Sequence, residues 1–127
     1  IIRTADWFGI SSIYLSDDCV DVFNPKVVQS TMGSLARVSV YRVNLPSLVY
    51  DLKKRDFTCY GACLSGENIY TLNKHSKSAL VFGNESHGIS MQLQEKLDKK
   101  ILIPSKNQFI DSLNVAVSFG IILSEFR

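Results

Sequence analysis

The chain has 127 residues, of which 46% are hydrophobic and 20% are charged, and its formal net charge is +2. This is the balance of one globular domain rather than of a disordered or fibrous chain. No apolar run reaches the roughly 18 residues that a membrane span needs, and a net charge this small neither identifies nor excludes a nucleic-acid partner. The three cysteines show no C-x-x-C spacing, which leaves no basis for a zinc site or a disulfide framework and fits a cytoplasmic protein.

The first half of the chain alternates between helical and extended patterns. Gly9 is a typical helix terminator, and the pair Asn24–Pro25 combines an N-cap residue with the residue favoured at the first helical position. In order, we predict a helix over residues 1–9, a strand at Ser12–Leu15, a helix from Asn24 to about Ala36, a strand at Val38–Val43, and a helix that opens at Pro46 and ends in the charged run Lys53–Asp56.

The second half continues this alternation. Its run Ala79–Gly83 is continuously apolar, as expected for a strand in the middle of a parallel sheet. In order, we predict a strand at Phe57–Leu64, a polar loop at Ser65–Lys77, a strand at Ala79–Gly83, a helix from about Ser90 to Lys99, a strand at Ile101–Ile103 and a final helix. Five strands that alternate with helices predict an α/β fold with a mainly parallel sheet flanked by helices.

The final helix is apolar on nearly every side from Leu113 to Phe126, which predicts that it is covered on more than one side. Asp111 and Ser112 are its N-cap candidates. Ser112 and Asn114 then belong to its first turn, where unpaired backbone N–H groups and the positive end of the helix dipole can hold a ligand. The sequence therefore predicts a binding site at the start of this helix.

Three stretches of the sequence carry family motifs in a fixed order. They are IIRTA at Ile1–Ala5, LVFGNESHGIS at Leu80–Ser90, and the dipeptide IP at residues 103–104 followed by a loop and by SLNVAV at Ser112–Val117. Together they resemble the three motifs of the SpoU (TrmH) family of RNA ribose 2'-O-methyltransferases. Because the three ordered motifs extend over almost the whole chain, the resemblance is much more specific than any one of them.

The resemblance implies both a fold and an activity. Family members end in a trefoil knot, in which the last helix passes through a preceding loop and the cofactor is bound. They transfer a methyl group from S-adenosylmethionine (S-adenosyl-L-methionine) to a ribose 2'-hydroxyl of ribosomal or transfer RNA, and they need no metal. Residues 1–127 would form the catalytic domain. We expect the family's first strand and the start of its first motif to precede Ile1, in a longer polypeptide.

The resemblance also implies site residues. Arg3 matches the arginine of the first motif, and because a guanidinium stays protonated we expect it to stabilise a developing alkoxide rather than to act as a base. Glu85 is expected either to order its loop by accepting backbone N–H groups or to contact the substrate. The expected catalytic residues are Arg3, Glu85, Ser112 and Asn114, and the expected cofactor-binding residues are Ala62, Gly83, Ile103, Ser112 and Leu113.

A homodimer through the C-terminal helix is a further implication of the resemblance. The apolar character of that helix on every side fits this, because apolar surface that one sheet cannot cover usually marks an interface. We expect the partner to contact Phe119, Ile122 and Phe126.

The third motif departs from the family pattern in two respects. Asn107 stands where the family usually has a glycine, and Ser112 lies one residue further beyond Pro104 than in the family. Because asparagine tolerates a positive φ better than most residues, we expect this loop still to turn.

Two other functions fit the sequence. One is a catalytically idle RNA-binding or assembly factor on the same fold, which the altered third motif suggests and the intact Arg3, Glu85, Ser112 and Asn114 oppose. The other is a dinucleotide-binding oxidoreductase domain in which Asp17 or Asp18 holds a ribose, although the chain has no G-x-G-x-x-G. His87 is a further candidate, as a general base, at a position where the family requires no histidine.

Overall fold

The computed structural model describes residues 1–19 and 33–127. The predicted helix that begins at Asn24 lies mostly outside this range, and its last residues form a single 3₁₀ turn at Ser34–Ala36. The elements are α1 (Ile2–Trp7), β1 (Ser12–Leu15), β2 (Ser39–Arg42), α2 (Leu45–Lys54), β3 (Thr58–Asn68), β4 (Ser78–Val81), α3 (Met91–Gln94), β5 (Lys99–Leu102) and α4 (Val115–Phe126).

Every pairing among the described strands is parallel. β1 pairs with β2, and β3 lies between β4 and β5 in a second sheet. The predicted α/β fold with parallel strands flanked by helices is confirmed, although the described strands form two sheets rather than one. The sheets share a core, because Ile13 of β1 and Leu80 of β4 pack on the same apolar cluster.

β3 presents alternate side chains to two helical layers, as the period of a strand requires. Cys59 packs with Val49 of α2 and Leu93 of α3 on one face. Tyr60, which is fully buried, packs with Ile122 of α4 on the other face. Helices therefore cover this sheet on both sides, which explains why β4 is continuously apolar from Ala79.

α4 lies across the second of these faces and is held mainly by its own chain. Phe119 and Ile122 are only 8% and 1% exposed. Phe126 packs edge-on against Tyr60, with ring centroids 5.0 Å apart. The prediction that Phe119 and Ile122 contact a partner subunit is therefore wrong, because α1 and the sheet already cover these side chains, whereas contact through the half-buried Phe126 stays a prediction.

β3 extends further than its side chains predict. The residues from Leu64 to Glu67 are exposed and show no apolar alternation, and the sequence predicts a loop from Ser65 onward. In the structure the strand shifts its register after Ala62 and pairs again with β5 at Glu67. Gly66 has a φ of 139°, and a Cβ there would lie 2.3 Å from the carbonyl oxygen of Lys100. Backbone pairing and one glycine, rather than apolar packing, thus define this part of the strand.

α3 is a single turn, whereas the sequence predicts a helix that continues to Lys99. Asp98 ends the helical region, because its carboxylate accepts a hydrogen bond from the N–H of Cys59 at 2.8 Å and its own N–H donates to the Cys59 carbonyl at 2.9 Å. Lys53 adds an ion pair with Asp98 at 3.5 Å. These contacts hold the chain against β3, and β5 begins immediately afterwards.

Substitution of two glycines, one on β3 and one on α4, tests how these elements pack against their neighbours. A Cβ at Gly61 would lie 2.3 Å from Leu97 Cδ1, whereas a Cβ at Gly120 would meet Thr4 Cγ2 at 3.7 Å, an ordinary contact. We expect Gly61→Ala to lower the free energy of unfolding by about 1–3 kcal/mol through overpacking. We expect Gly120→Ala to raise it by about 0.5–1 kcal/mol, because alanine suits a helix better than glycine. Urea unfolding measures both, and destabilisation by Gly120→Ala would contradict the packing of α1 on α4.

Candidate active site

The carboxyl ends of β3, β4 and β5 meet at one edge of the three-stranded sheet. Ala62 of β3 lies opposite Ile101 of β5, and the residue before it lies opposite Val81 of β4. Gly83 and Ile103 come just after β4 and β5 end. The structure therefore brings together three of the residues expected to bind the cofactor, at the edge where parallel α/β sheets usually bind their ligands.

The turn after β4 is closed by a backbone contact and by an asparagine. A Cβ on Gly83 would lie 2.0 Å from the carbonyl carbon of Gly88, so the loop can return this closely only past a glycine. Asn84 Oδ1 accepts hydrogen bonds from the N–H groups of Ser86 at 3.0 Å and His87 at 2.6 Å, which is an Asx-type turn. The loop is thus held against the end of β4 by its own residues.

Glu85 is exposed in this turn. The expectation that its carboxylate orders the loop is wrong, because the Asn84 amide oxygen accepts the backbone N–H groups instead. Contact with the substrate stays a prediction for Glu85. Asn84 was missed in the sequence, although an asparagine directly after a strand is a known signal for such a turn. His87 takes part through its backbone N–H, which gives no support to a general-base role.

Asn114, and not Ser112, caps α4. The Asn114 amide oxygen accepts hydrogen bonds from the N–H groups of Ala116 at 2.9 Å and Val117 at 3.4 Å, and the helix begins at the next residue after it. The predicted N-caps at Asp111 and Ser112 are therefore wrong, because both precede the point at which the chain becomes helical. Asn114 lies at the helix start, as predicted.

Ser112 and Leu113 belong to the exposed loop that joins β5 to α4. This loop turns through Ser105, whose hydroxyl donates to the Asn107 carbonyl at 2.8 Å, and through the Asn107 amide oxygen, which accepts the Phe109 N–H at 2.9 Å. Asn107 itself has no positive φ. The loop therefore turns as expected but by side-chain hydrogen bonds, so the absence of a glycine does not disrupt it.

Arg3 lies on the exposed side of α1. On another side of the same helix, Ala5 is fully buried against Phe119 and Leu123 of α4. Phe82, at the end of β4, joins this cluster, and its ring centroid lies 5.0 Å from that of Phe119. The packing therefore places the helix that carries Arg3 beside the end of β4.

Asp6 attaches α1 to the segment that precedes β2. Its carboxylate accepts hydrogen bonds from Arg37 Nη2 at 2.5 Å, from Arg37 Nε at 2.8 Å and from the hydroxyl of Ser34 at 2.8 Å. The Arg37 guanidinium and the Ser34 hydroxyl hold the pKa of Asp6 below its usual range. No local sequence pattern predicts this contact, because Asp6 and Arg37 are 31 residues apart.

The two cysteines of β3 do not form a reactive site. Burial raises the pKa of Cys59, with a further contribution from the Asp98 carboxylate, and burial also raises the pKa of Cys63. A raised pKa keeps a thiol protonated and poorly nucleophilic. Within residues 1–19 and 33–127, no group of three His, Cys, Asp or Glu side chains could hold a metal, and no helix is long and apolar enough to cross a membrane.

Asp17 and Asp18 lie in the turn after β1, which is tied to β2. The guanidinium of Arg42 donates to the carbonyl of Cys19 at 2.9 Å, and the hydroxyl of Ser16 bonds to Asp18. The Ser16 hydroxyl lowers the pKa of Asp18. Because this turn follows the separate two-stranded sheet, the structure gives no support to a ribose site at these residues.

The sequence matches a known family along nearly its whole length. A profile described as the SpoU rRNA Methylase family matches residues 1–124. The 23S rRNA (guanosine(2553)-2'-O)-methyltransferase RlmP of Bacillus subtilis (strain 168) is 39% identical over 128 residues, which cover 100% of this chain and 51% of that protein. The chain thus spans about half the length of the curated relatives it matches.

Solved structures match the fold as well. A protein of the TrmH family from Porphyromonas gingivalis has a TM-score of 0.93 and 37% identity, over 99% of this chain and 52% of that one. The SpoU methyltransferase AviRb from Streptomyces viridochromogenes, in complex with the cofactor AdoMet, has a TM-score of 0.89 and 29% identity, over 98% of this chain and 49% of that one. The three ordered motifs, the shared fold and the family match agree, and the chain belongs to the SpoU rRNA methylase family.

Proposed function

We propose that the protein containing this chain transfers a methyl group from S-adenosylmethionine to a ribose 2'-hydroxyl of RNA. The observation that carries the proposal is the sheet edge where Ala62, Gly83 and Ile103 meet beside the helix of Arg3. The AdoMet complex of AviRb supports the cofactor. Ribosomal RNA is favoured over transfer RNA because the Bacillus relative is named for 23S rRNA, and a cytoplasmic location accords with such a substrate.

The residues at this edge fit such a cofactor. Strand ends and loops offer backbone N–H and C=O groups that can bind an adenine and a ribose, and the small Ala62 and Gly83 allow a close approach. We assign cofactor binding to these two residues, to Ile103, and to Ser112 and Leu113 of the loop before α4. When bound, S-adenosylmethionine supplies a methyl group that its sulfonium already activates, so the assignment includes no metal.

We assign the substrate side of the site to Arg3, Glu85, Ser112 and Asn114. The Arg3 guanidinium donates to the 2'-oxygen while the hydroxyl proton passes to solvent water, and this hydrogen bond stabilises the developing alkoxide. Its planar fork can also hold the adjacent phosphate. Glu85 and Ser112 orient the ribose from two loops, and Asn114 offers its NH₂ group, because its amide oxygen is engaged in the helix cap.

We also propose that the C-terminal part of the chain forms a trefoil knot around the cofactor, within a catalytic domain that spans residues 1–127. The support comes from β3, which continues beyond its register shift and lies beside β5. Directly after it, the N–H of Ile69 donates to the carbonyl of Leu102 at 3.0 Å. The segment after β3 is therefore next to the strand that leads into the final loop and α4, as passage of the chain through a loop requires.

The proposed assembly is a homodimer formed by α4 and α1. Val117 on α4 and Leu113 in the loop before it are 52% and 49% exposed, and Trp7 on α1 is 84% exposed. α1 and α4 pack on each other, so the two helices that carry Trp7 and Val117 are neighbours. Exposed apolar surface of this kind marks interaction sites.

Gly83→Ala in the full-length protein tests the cofactor site. The added Cβ would collide with the Gly88 backbone and displace the loop. We therefore expect the affinity for S-adenosylmethionine, measured by calorimetry, to fall at least about tenfold. Gly120→Ala is the control, because its Cβ would meet only Thr4 Cγ2 at 3.7 Å, and we expect an affinity close to that of the wild type there. Wild-type affinity in a folded Gly83→Ala variant would place the cofactor elsewhere.

Arg3→Ala tests the catalytic assignment. Loss of one preorganised charge stabiliser lowers kcat by about 10²–10³, and we expect the affinity for S-adenosylmethionine to stay close to that of the wild type. Rapid-quench methyl transfer to RNA and calorimetry measure the two quantities, with the exposed Arg55→Ala as a control. A parallel fall in affinity and rate would make Arg3 a binding or folding residue. A wild-type protein that binds the cofactor but methylates no RNA would favour the idle assembly factor.

Val117→Glu tests the interface. A charge on this half-exposed side chain should leave the fold intact but separate the subunits, and we expect a monomer with reduced methyl transfer. Tyr50→Glu is the control, because Tyr50 is 58% exposed on α2, across the sheet from α4. Analytical ultracentrifugation gives the oligomeric state, and a fully active monomeric wild type would rule the dimer out.

A further inference from the structure

Arg3 and Asp6 both lie on α1, three positions apart, and side chains at this spacing are neighbours on a helix surface. An arginine and an aspartate at this spacing can form an ion pair. Among the described residues, however, Asp6 forms its ion pair with Arg37, and Arg3 takes part in none. The short helix that carries the assigned catalytic arginine therefore also carries a carboxylate at a spacing that permits an ion pair with it.

The Asp6 carboxylate is held by Ser34 and Arg37, which lie in the segment before β2. Its Oδ2 accepts hydrogen bonds from Arg37 Nη2 at 2.5 Å, Arg37 Nε at 2.8 Å and Ser34 Oγ at 2.8 Å, and its Oδ1 lies 3.0 Å from the same Nε. Ser34 is 2% exposed, whereas the Arg37 side chain is 62% exposed. A buried hydroxyl and a guanidinium thus hold Asp6 in a fixed direction, with its negative charge matched.

We propose that Arg37, together with Ser34, sequesters the Asp6 carboxylate so that Arg3 keeps its charge and its N–H donors for the RNA. This inference rests on the function proposed above for Arg3. An arginine that forms a fork with a carboxylate has donors engaged and charge compensated, and it stabilises a developing alkoxide less well. Arg37 is therefore a positioning residue, which acts through Asp6 and does not touch the substrate.

The alternative to sequestration is a purely structural role, in which the contact between Asp6 and Arg37 only holds α1 in place. If the contact only fastened α1 to the segment before β2, Asp6→Ala would lower the rate at least as much as Arg37→Ala, because removal of Asp6 also breaks the hydrogen bond from Ser34. Sequestration predicts the reverse order. Without Arg37 only Ser34 holds the Asp6 carboxylate, whose uncompensated charge then attracts Arg3. Without Asp6 no carboxylate remains on α1 to pair with Arg3, and the exposed Arg37 returns to water.

The test compares Arg37→Ala, Asp6→Ala and the double variant in the full-length protein, with methyl transfer to RNA measured at saturating substrates. We expect kcat of Arg37→Ala to fall about tenfold, the order of one hydrogen bond to a charged group. We expect Asp6→Ala and the double variant to stay within about threefold of the wild type. The affinity for S-adenosylmethionine should be unchanged in all three. Recovery of kcat in the double variant is the decisive result, because that protein lacks both partners yet works faster than the one that lacks Arg37.

A loss of kcat in Asp6→Ala equal to or greater than that in Arg37→Ala, with no recovery in the double variant, would overturn sequestration in favour of a purely structural tether. Melting temperatures separate stability from chemistry. Asp6→Ala and the double variant also lose the hydrogen bond from the buried Ser34, so we expect them to be no more stable than Arg37→Ala, and a higher rate in them cannot come from greater stability. Arg37→Gln and Asp6→Asn repeat the comparison if the alanine variants unfold.

Arg3→Ala in the same assay separates this inference from the proposed function. Full activity of that variant would overturn the role of Arg3 and the inference with it. Loss of activity in Arg3→Ala, combined with a loss in Asp6→Ala equal to or greater than that in Arg37→Ala, would overturn the inference alone.

Discussion

The parallel pairing of β3 with both of its neighbours is the constraint on which this domain depends. β4 and β5 run in the same direction along its two sides, so three carboxyl ends share one edge. The alternation of its side chains then joins Cys59 to α2 and α3 and Tyr60 to α4. One central strand therefore sets both the position of the ligand edge and the attachment of the two helical layers.

The sequence predicts those helices and strands that bury apolar side chains, because burial leaves a hydrophobic pattern in the sequence. β4 is an example, because burial on both faces makes Ala79–Gly83 apolar without interruption. The sequence does not predict the bounds of an element when those bounds depend on hydrogen bonds to a distant part of the chain. The second part of β3 pairs with β5 through exposed residues, and α3 stops early because Asp98 bonds to Cys59 on another strand. Neither contact leaves a periodic pattern, so neither could be found before the structure.

In the candidate site too, some residues could be predicted from the sequence and others could not. Its principal residues, such as Arg3 and Gly83, are found in ordered motifs, and the structure places them in neighbouring elements. The residues that support them are less visible. Serine and asparagine are equally good helix caps, so only coordinates distinguish Ser112 from Asn114. The Asp6–Arg37 contact joins segments far apart in the chain, which no local preference can reveal.

The two edges of the three-stranded sheet are stabilised in different ways. At the amino edge, side chains join one segment to another: Asp98 binds Cys59, and Lys77 donates to the carbonyl of Arg55 at 2.8 Å. At the carboxyl edge, loops are closed by their own residues, as Asn84 closes the turn after β4. A substitution that reshapes one of these loops would therefore alter the ligand edge and leave the pairing of the three strands intact.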